Sequence, residues 1–189
     1  AEKAGILKAN VPVVTGPLPL AAQQVVRTRA KEVGAGPVWT VGEHLVHEVL
    51  ASEAQGVDDA DLSRLVVRGP SGRSVAVQPS LAGAHQRDNM AVAIGLAWQM
   101  RTGGPKSPSL PIEDLAIVHG IARVSWPGRL ETIEGKGAWA GRWLLDGAHN
   151  EEGARALAAE IRRHPVPRES RALVFGAMGD KAWGTMARE

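Results

Sequence analysis

The chain has 189 residues, of which 44% are hydrophobic and 22% charged, and its 22 basic and 20 acidic side chains leave a formal net charge of +2. This composition predicts a globular protein of one large or two small domains. So small a net charge argues against nucleic acid as a partner. No apolar run approaches the about 20 residues that a helix needs to cross a membrane. The absence of cysteine excludes disulfides, a thiol nucleophile and thiolate metal sites, and it is typical of a reducing cytoplasm, where we expect the protein to act.

The first elements alternate between strand and helix patterns. A β-branched run that ends at a Gly-Pro pair indicates a strand, and the helical periodicity that follows it stops at a glycine. The elements predicted here are a strand at 11–15, a helix at 20–33 closed by Gly34, a strand at 38–41, a helical stretch after Gly42 and an acidic, polar loop around 58–61.

The middle of the chain predicts a hairpin and two helices. Two short strands, 65–68 and 74–77, are separated by a turn rich in Gly and Pro. The next helix is expected to begin at Asp88 or Asn89, and residues 90–100 are apolar on nearly every side, which indicates burial between layers. A loop over 102–111 then leads to a helix at 112–124.

The character of the sequence changes at Trp126-Pro127-Gly128, where proline disfavours helix at the preceding residue and glycine frees the backbone. We expect a hinge and a domain boundary here. The following pattern of strand, helix, strand and helix predicts a parallel α/β sheet. Its elements are strands at 130–133 and 143–146, a helix at 153–163, a strand at 172–175 and a helix that starts at Lys181.

Short polar motifs interrupt this apolar pattern in a fixed order. Each places Gly, Asn, Arg, Asp or His where binding chemistry tends to lie on an α/β scaffold. The motifs are Glu2-Lys3-Ala4-Gly5-Ile6, His85-Gln86-x-x-Asn89, Trp126-Pro127-Gly128-Arg129-Leu130-Glu131, Asp146-Gly147-Ala148-His149-Asn150 and Gly176-x-Met178-x-Asp180-Lys181.

The Asp146 motif is the strongest local indication of a site. It follows a predicted strand and precedes a helix, and open parallel sheets bind ligands beyond the carboxyl ends of their strands. Asp146 has the chemistry to accept hydrogen bonds from ribose hydroxyls, and His149 has the chemistry to donate to phosphate or a carboxylate. From the local pattern alone, an ordinary loop explains these two residues equally well, and Asn150 is better explained as the cap of the helix.

Other candidate side chains have simpler explanations when they are considered singly. Arg129 follows a Pro-Gly turn and has a planar fork that suits phosphate oxygens, although a surface arginine needs no such role. Asn89 has an amide that can read an adenine edge, but its position also suits a helix cap. Lys3, by itself, is explained as a solvated lysine.

Several patterns imitate other sites and are rejected. His44 and His47 resemble a metal pair but lack a clear third ligand. Gly135-Lys136-Gly137 precedes a strand rather than a helix, which indicates a hairpin turn instead of a dinucleotide-binding loop. Pro105 removes an amide that a phosphate loop at this position would need, so the sequence contains no P-loop.

Taken together, the motifs resemble those of the folylpolyglutamate synthase/dihydrofolate synthase family, a branch of the Mur ligase superfamily. The similarity runs from the Glu2-Lys3-Ala4-Gly5-Ile6 motif to the motif that ends at Lys181, and so it spans nearly the whole chain. It implies an α/β fold in which residues 1–126 form the C-terminal portion of a Mur-ligase-type central ATP-binding domain. Residues 127–189 would then start a Rossmann-like, parallel α/β glutamate-ligase domain, which is incomplete here.

The resemblance implies an ATP-dependent ligase that adds L-glutamate to dihydropteroate or folate through an acyl phosphate. In that family the lysine that matches Lys3 is carbamylated and ligates Mg²⁺. The positions that match Asn89, Arg129 and Asp146 contact ATP, at the adenine, the phosphates and the ribose respectively. His149 is implied to lie near the transferred phosphoryl group or the incoming glutamate. The implied cofactors are ATP and Mg²⁺, and we expect a monomer that binds neither nucleic acid nor a membrane.

The chain also departs from the family pattern. The family's Gly-rich phosphate loop has no counterpart here, and the chain lacks an initiating Met, so we expect a fragment that does not catalyse alone. Glu151 stands where the family usually has Pro, and Ala182 where a second Asp is common. A cell-wall Mur-type amino-acid ligase and a non-catalytic nucleotide-binding remnant are the alternatives. The sequence leaves open whether the parent enzyme adds the first glutamate, later ones or both.

Overall fold

A computed structural model describes residues 2–50, 63–106, 108–163 and 166–189, and it confirms the α/β class. The predicted loop around 58–61 lies outside the described residues. No described helix combines the length and the apolar character needed to cross a membrane. The described residues form two compact units, the first made of 2–50, 63–80 and 86–124, and the second of 81–85 and 125–189.

The first unit begins with a short 3₁₀ helix, Glu2–Ile6, and a strand–helix–strand segment that confirms the sequence-based prediction. Strands β1 (Val13–Thr15) and β2 (Val38–Thr40) pair in parallel. The helix between them, α1 (Leu20–Val33), ends at Gly34, which adopts a left-handed φ of 68° and donates its N–H to carbonyls of the last turn. A glycine adopts this conformation without steric cost, which is why the helix stops there.

A three-stranded antiparallel sheet follows, in the order β3-β4-β5. The predicted hairpin is confirmed, because β4 (Leu65–Arg68) pairs with β5 (Ser74–Val77). The predicted helix after Gly42 is wrong: residues 42–44 form a turn, and β3 (Val46–Val49) pairs with β4 instead. The β-branched valines of β3 favour an extended strand along the edge that β4 provides.

The core of the first unit lies between this sheet and two helices, α2 (Ala84–Thr102) and α3 (Asp114–Ala122). Helix α2 begins earlier than predicted, and α3 lies within the predicted range. The predicted burial of residues 90–100 on nearly every side holds for one side only, since Trp98 is 1% exposed whereas Leu96 is 42% exposed. The core consists of Val41, Leu45, Leu65, Val67, Val75, Val77, Met90, Ala91, Ile94, Trp98, Ile117 and Ile121.

Two glycines let α2 and the sheet approach closely. A Cβ placed on Gly95 would lie 2.5 Å from Cδ1 of Leu45, and one placed on Gly69 would lie 2.5 Å from Cζ3 of Trp98. Because Leu45 and Trp98 are themselves buried, a methyl group at either glycine would force the core to shift.

The second unit contains a hairpin of β6 (Glu131–Gly135) and β7 (Gly141–Leu145), then helix α4 (Glu151–Arg163) and the short α5 (Trp183–Met186). The sequence pattern predicts parallel strands here, whereas β6 and β7 pair antiparallel. Residues 136–140 join the two strands, and so short a connection cannot make the crossover that parallel strands need. The glycine-rich segment between them is thereby confirmed as a hairpin turn.

The predicted strand at 172–175 does not form in the described chain. Val174 is 88% exposed, and none of the described strands pairs with this segment. A strand exists through its ladder of hydrogen bonds to a neighbour, so an apolar run without a partner stays irregular.

Candidate functional site

Two polar motifs come together at one end of the β6–β7 hairpin. Because Glu131 at the start of β6 pairs with Leu145 at the end of β7, the turn before β6 lies beside the loop after β7. Asp146 joins them: its Oδ2 accepts the N–H of Leu130 at 3.0 Å, and its Oδ1 accepts the N–H of Ala148 at 2.8 Å. The antiparallel register thus explains why motifs that are separate in the sequence share one place in the fold.

Further hydrogen bonds fix the turn before β6. The N–H of Gly147 donates to the carbonyl of Gly128 at 2.7 Å, and the N–H of Gly128 donates to Oε2 of Glu131 at 2.8 Å. Gly128 has a φ of 71° and Leu130 a φ of 48°, so both residues lie in the left-handed region. For a leucine this conformation costs about 1 kcal/mol, which the neighbouring hydrogen bonds offset.

The side chain of Leu130 is a buried anchor for this turn. It is 7% exposed, and a Cβ placed on Gly83 would lie 2.7 Å from its Cδ1. Gly83 itself has a φ of 102°, a backbone conformation that favours glycine. Leu130 therefore packs against a segment that only a glycine fits.

Arg129 lies between Gly128 and Leu130 in this turn. Its side chain is half-buried, and its guanidinium has no ion pair or hydrogen bond to any residue that the structure describes. A guanidinium keeps its charge at any relevant pH and presents several N–H donors in one plane. The turn thus holds a cation whose donors are free for an anion of phosphate or carboxylate type.

His149 and Asn150 occupy the loop that leads into α4. Nδ1 of His149 lies 3.0 Å from the carbonyl oxygen of Gly147, so this nitrogen carries the proton and Nε2 is left to exchange a proton or bind a ligand. Oδ1 of Asn150 accepts the N–H of Gly153 at 2.8 Å, and α4 begins at the next residue. The prediction that Asn150 caps the helix is therefore confirmed.

Asn89 belongs to the first unit and lies one turn inside α2, because that helix begins at Ala84. The helix-cap explanation for Asn89 is consequently wrong. Its Nδ2 donates to Oε1 of the buried Gln86 at 3.0 Å, which leaves its Oδ1 and a second N–H free. An oxygen and an N–H held side by side match the donor and acceptor pattern of an adenine edge.

His47 and Asp88 anchor this part of α2 to the sheet, a contact that sequence reasoning missed. Nε2 of His47 lies 2.8 Å from Oδ1 of Asp88. His47 pairs with Val67, which is fully buried, so the imidazole lies on the face of the sheet that packs against the helix. His44 has a different partner, the N–H of Thr40, which donates to its Nδ1 at 3.3 Å.

Lys3 lies in the 3₁₀ helix at the start of the first unit. Its side chain is exposed and has no partner among the described residues. In the motif at the other end of the chain, Nζ of Lys181 pairs with Oδ2 of Asp180 at 3.1 Å. Within the described ranges, no three His, Cys, Asp or Glu side chains come close enough to hold a metal ion.

The second unit thus brings Arg129, Asp146 and His149 together, whereas Asn89 and Lys3 belong to the first unit. Sequence reasoning missed the parts that Leu130 and Glu131 play in shaping the turn. Glu131 is the last residue of the Trp126-Pro127-Gly128-Arg129-Leu130-Glu131 motif, so the sequence marked its position but not its hydrogen bond to Gly128. The left-handed conformation of Leu130 has no signature in the sequence.

Comparisons with known proteins found similarity both for the C-terminal third of the chain and for nearly its whole length. Residues 128–189 match the family model described as the glutamate ligase domain of Mur ligases. The dihydrofolate synthase/folylpolyglutamate synthase of Bacillus subtilis (strain 168) is 32% identical over 187 residues, covering 99% of this chain and 40% of that relative.

Solved structures of folylpolyglutamate synthases are also similar to this chain. The folylpolyglutamate synthase of Thermotoga maritima is 26% identical with a TM-score of 0.66, covering 86% of this chain and 34% of its own. A solved FPGS–AMPPCP–folate complex is 29% identical with a TM-score of 0.66, covering 87% of this chain and 37% of its own. The chain therefore spans less than half the length of the proteins that it matches.

Proposed function

We propose that the chain, whose residues 128–189 match the family model of the glutamate ligase domain of Mur ligases, binds ATP and takes part in joining L-glutamate to a folate or dihydropteroate carboxylate. The similarity of nearly the whole chain to a dihydrofolate synthase/folylpolyglutamate synthase supports this choice of substrates. We expect the reaction to take place in the cytoplasm and the protein to act as a monomer.

The observation that carries the proposal is the free guanidinium of Arg129. It lies in a turn that hydrogen bonds to Asp146 and Glu131 hold in shape, and no acidic side chain of the described residues neutralises it. A preorganised cation of this kind suits the phosphates of ATP, because charge stabilisation dominates phosphoryl transfer. We therefore assign the phosphates of ATP to Arg129.

The remaining roles are assigned residue by residue. The free amide atoms of Asn89 suit the adenine edge, and the carboxylate of Asp146 keeps lone pairs for ribose hydroxyls. His149 exposes its Nε2 and would act near the transferred phosphoryl group or the incoming glutamate. Lys3 would act as its carbamate, an oxygen ligand of the kind that Mg²⁺ prefers.

The described residues do not by themselves fit a Mg²⁺ site. An unmodified Lys3 is a cation and repels the metal, and no group of three acidic or histidine side chains surrounds a common point within the described part of the chain. The proposal for Lys3 is therefore limited to one ligand oxygen that carbamylation would create, and no step is derived through the metal.

The proposed reaction has two steps. A carboxylate oxygen of the pteroate or folate attacks the γ-phosphorus of ATP, which forms an acyl phosphate and releases ADP. The amino nitrogen of L-glutamate then attacks the acyl carbon, the C–O bond to phosphate breaks, and an amide and inorganic phosphate result. The nitrogen loses a proton in this step, and Nε2 of His149 has the free lone pair to accept it. We expect no turnover from the 189 residues alone, since they contain no Gly-rich phosphate loop.

The proposal is tested by nucleotide binding. We expect the non-hydrolysable analogue AMPPCP to shift the backbone amide resonances of 128–130 and 146–149, and Arg129→Met to weaken binding about tenfold or more, because a charge-assisted contact is lost. Arg142→Met is the matched control, because Arg142 is an exposed arginine on β7 of the same unit. Absence of AMPPCP binding by the unmodified chain, or equal effects of the two substitutions, would contradict the proposal.

A further inference from the structure

Asp146 uses both of its carboxylate oxygens to hold backbone. Oδ2 accepts the N–H of Leu130 at 3.0 Å, and Oδ1 accepts the N–H of Ala148 at 2.8 Å. The first N–H belongs to the peptide group that joins Arg129 to Leu130, and the second belongs to the peptide group between Gly147 and Ala148, one residue before His149. One side chain thus holds a peptide group next to Arg129 and another one residue away from His149.

The bond to Leu130 fixes the peptide plane that directly follows Arg129. The N–H of Leu130 belongs to the peptide plane that also contains the carbonyl group of Arg129, and this plane is rigid. Leu130 has a φ of 48°, which a leucine adopts only where its surroundings hold it. Two contacts hold Leu130 in this conformation. The carboxylate of Asp146 accepts its N–H, and its side chain packs tightly against Gly83.

We propose that Asp146 is a positioning residue for Arg129 and His149, so that the affinity of this site for phosphate groups depends on its carboxylate even where no ribose is present. The inference rests on the proposed nucleotide site and deepens it. A role as ribose ligand alone gives Asp146 no influence on a ligand that lacks a ribose.

Positioning by Asp146 and the negative charge of Asp146 have opposite effects on the affinity of the site for an anion. A carboxylate close to a phosphate site repels the anion, so neutralising it would by electrostatics alone strengthen anion binding. In Asp146→Asn one of the two acceptor oxygens becomes an NH₂ group, which cannot accept an N–H. The positioning role therefore predicts that Asp146→Asn binds a phosphate ligand more weakly than the unmodified chain does. The loss of charge alone predicts that it binds the ligand more tightly.

The test compares inorganic tripolyphosphate with AMPPCP in titrations of the isotope-labelled chain, followed through backbone amide resonances. We expect Asp146→Asn to weaken tripolyphosphate and AMPPCP alike, by about tenfold, and to shift the amide resonances of Leu130 and Ala148. Glu152→Gln removes an equal charge from the exposed first turn of α4 and should leave tripolyphosphate binding unchanged or slightly tighter. The double variant Arg129→Met/Asp146→Asn should lose less affinity for tripolyphosphate than the two single losses combined, because part of the effect of Asp146→Asn is exerted through Arg129.

Asp146→Glu is the second variant, in case the asparagine variant folds poorly. It keeps the charge and both oxygens but moves them by one methylene, so we expect tripolyphosphate binding to weaken again. An effect of both Asp146 variants on AMPPCP but not on tripolyphosphate would overturn the inference and leave the proposed function standing. Failure of the unmodified chain to bind either ligand would overturn the proposed function, and the inference with it.

Discussion

Asn89 and Asn150 have the same side chain near the start of two helices, yet they serve different purposes. Asn150 precedes α4 and its Oδ1 accepts the N–H of Gly153, as the local pattern predicts. Asn89 bonds to Gln86 inside α2, because that helix starts at Ala84. The start of α4 is encoded by residues next to it, whereas the start of α2 also depends on packing that a local pattern does not contain.

Gln86 and Gln99 provide a matched pair of buried amides on α2. Gln86 is 6% exposed and accepts a hydrogen bond from Asn89, whereas Gln99 is 5% exposed and its Nε2 has no acceptor among the described residues. A buried donor without a partner costs about 1–3 kcal/mol. We expect Gln99→Met to leave the free energy of unfolding unchanged or to raise it by about 1 kcal/mol, measured by urea denaturation.

Gln86→Met is the control for this prediction. It removes a satisfied amide of the same size from the same helix, so we expect it to lower the free energy of unfolding by about 1 kcal/mol or more. The explanation fails if the two substitutions destabilise the protein to the same extent.

The helices and strands whose formation depends on residues nearby in the sequence could be predicted from the sequence. The β1–α1–β2 segment and the β4–β5 hairpin follow from hydrophobic periodicity and turn residues, and the structure has them. The prediction went wrong at β3, and it went wrong again at 172–175, because pairing with a strand that is distant in sequence decides both cases. The candidate site shows the same limit, since its residues were found from motifs but the hydrogen bonds that join them were not.

The pairing of β3 with β4 creates an exposed ion pair whose pH dependence is testable. Nη1 of Arg68 donates to Oε2 of Glu48 at 2.7 Å, and this hydrogen bond and the charge of Arg68 lower the pKa of Glu48. Because the pKa is lower in the folded state, the stabilisation is present above the ordinary pKa of about 4.3 and is lost as the pH falls through the folded value. We expect the stability difference between the unmodified chain and Glu48→Gln to be small and constant near neutral pH, and to vanish in acid.

The measurement is a series of urea denaturations from neutral pH down to about pH 3. Arg68→Met should reproduce the pH profile of Glu48→Gln, since either substitution removes the same pair. Added salt should reduce the difference at neutral pH, because both side chains are exposed. A difference that persists unchanged in acid would show that something other than the ion pair causes it.

At the scale of the whole molecule, the two units differ in how much apolar surface they bury. The first unit contains a continuous core of strand and helix residues around Leu45 and Trp98. The buried apolar side chains of the second unit are few among the described residues: Leu130, Ala154 and Met186. Since burial of apolar surface is the main favourable contribution to folding, the two units should differ in stability.

We expect amide hydrogen exchange to separate the units. The strands β4 and β5 of the first unit should exchange slowly and with one common opening free energy, whereas β6, β7 and α4 should open at a lower free energy. Exchange measured by mass spectrometry as a function of urea concentration would give both values. Equal opening free energies across all these elements would mean that the chain unfolds as one cooperative body instead.

The hairpin in the second unit has a further consequence for how the candidate site forms. The carboxylate of Asp146 and the N–H of Leu130 are only 16 positions apart along the chain, and β6 and β7 fill most of that interval. Closing so short a loop has a low entropic cost, and hairpins form within about 1–10 μs. The arrangement of Arg129, Asp146 and His149 therefore depends on contacts that are local in the chain. It should form early in folding, as soon as β6 and β7 have paired.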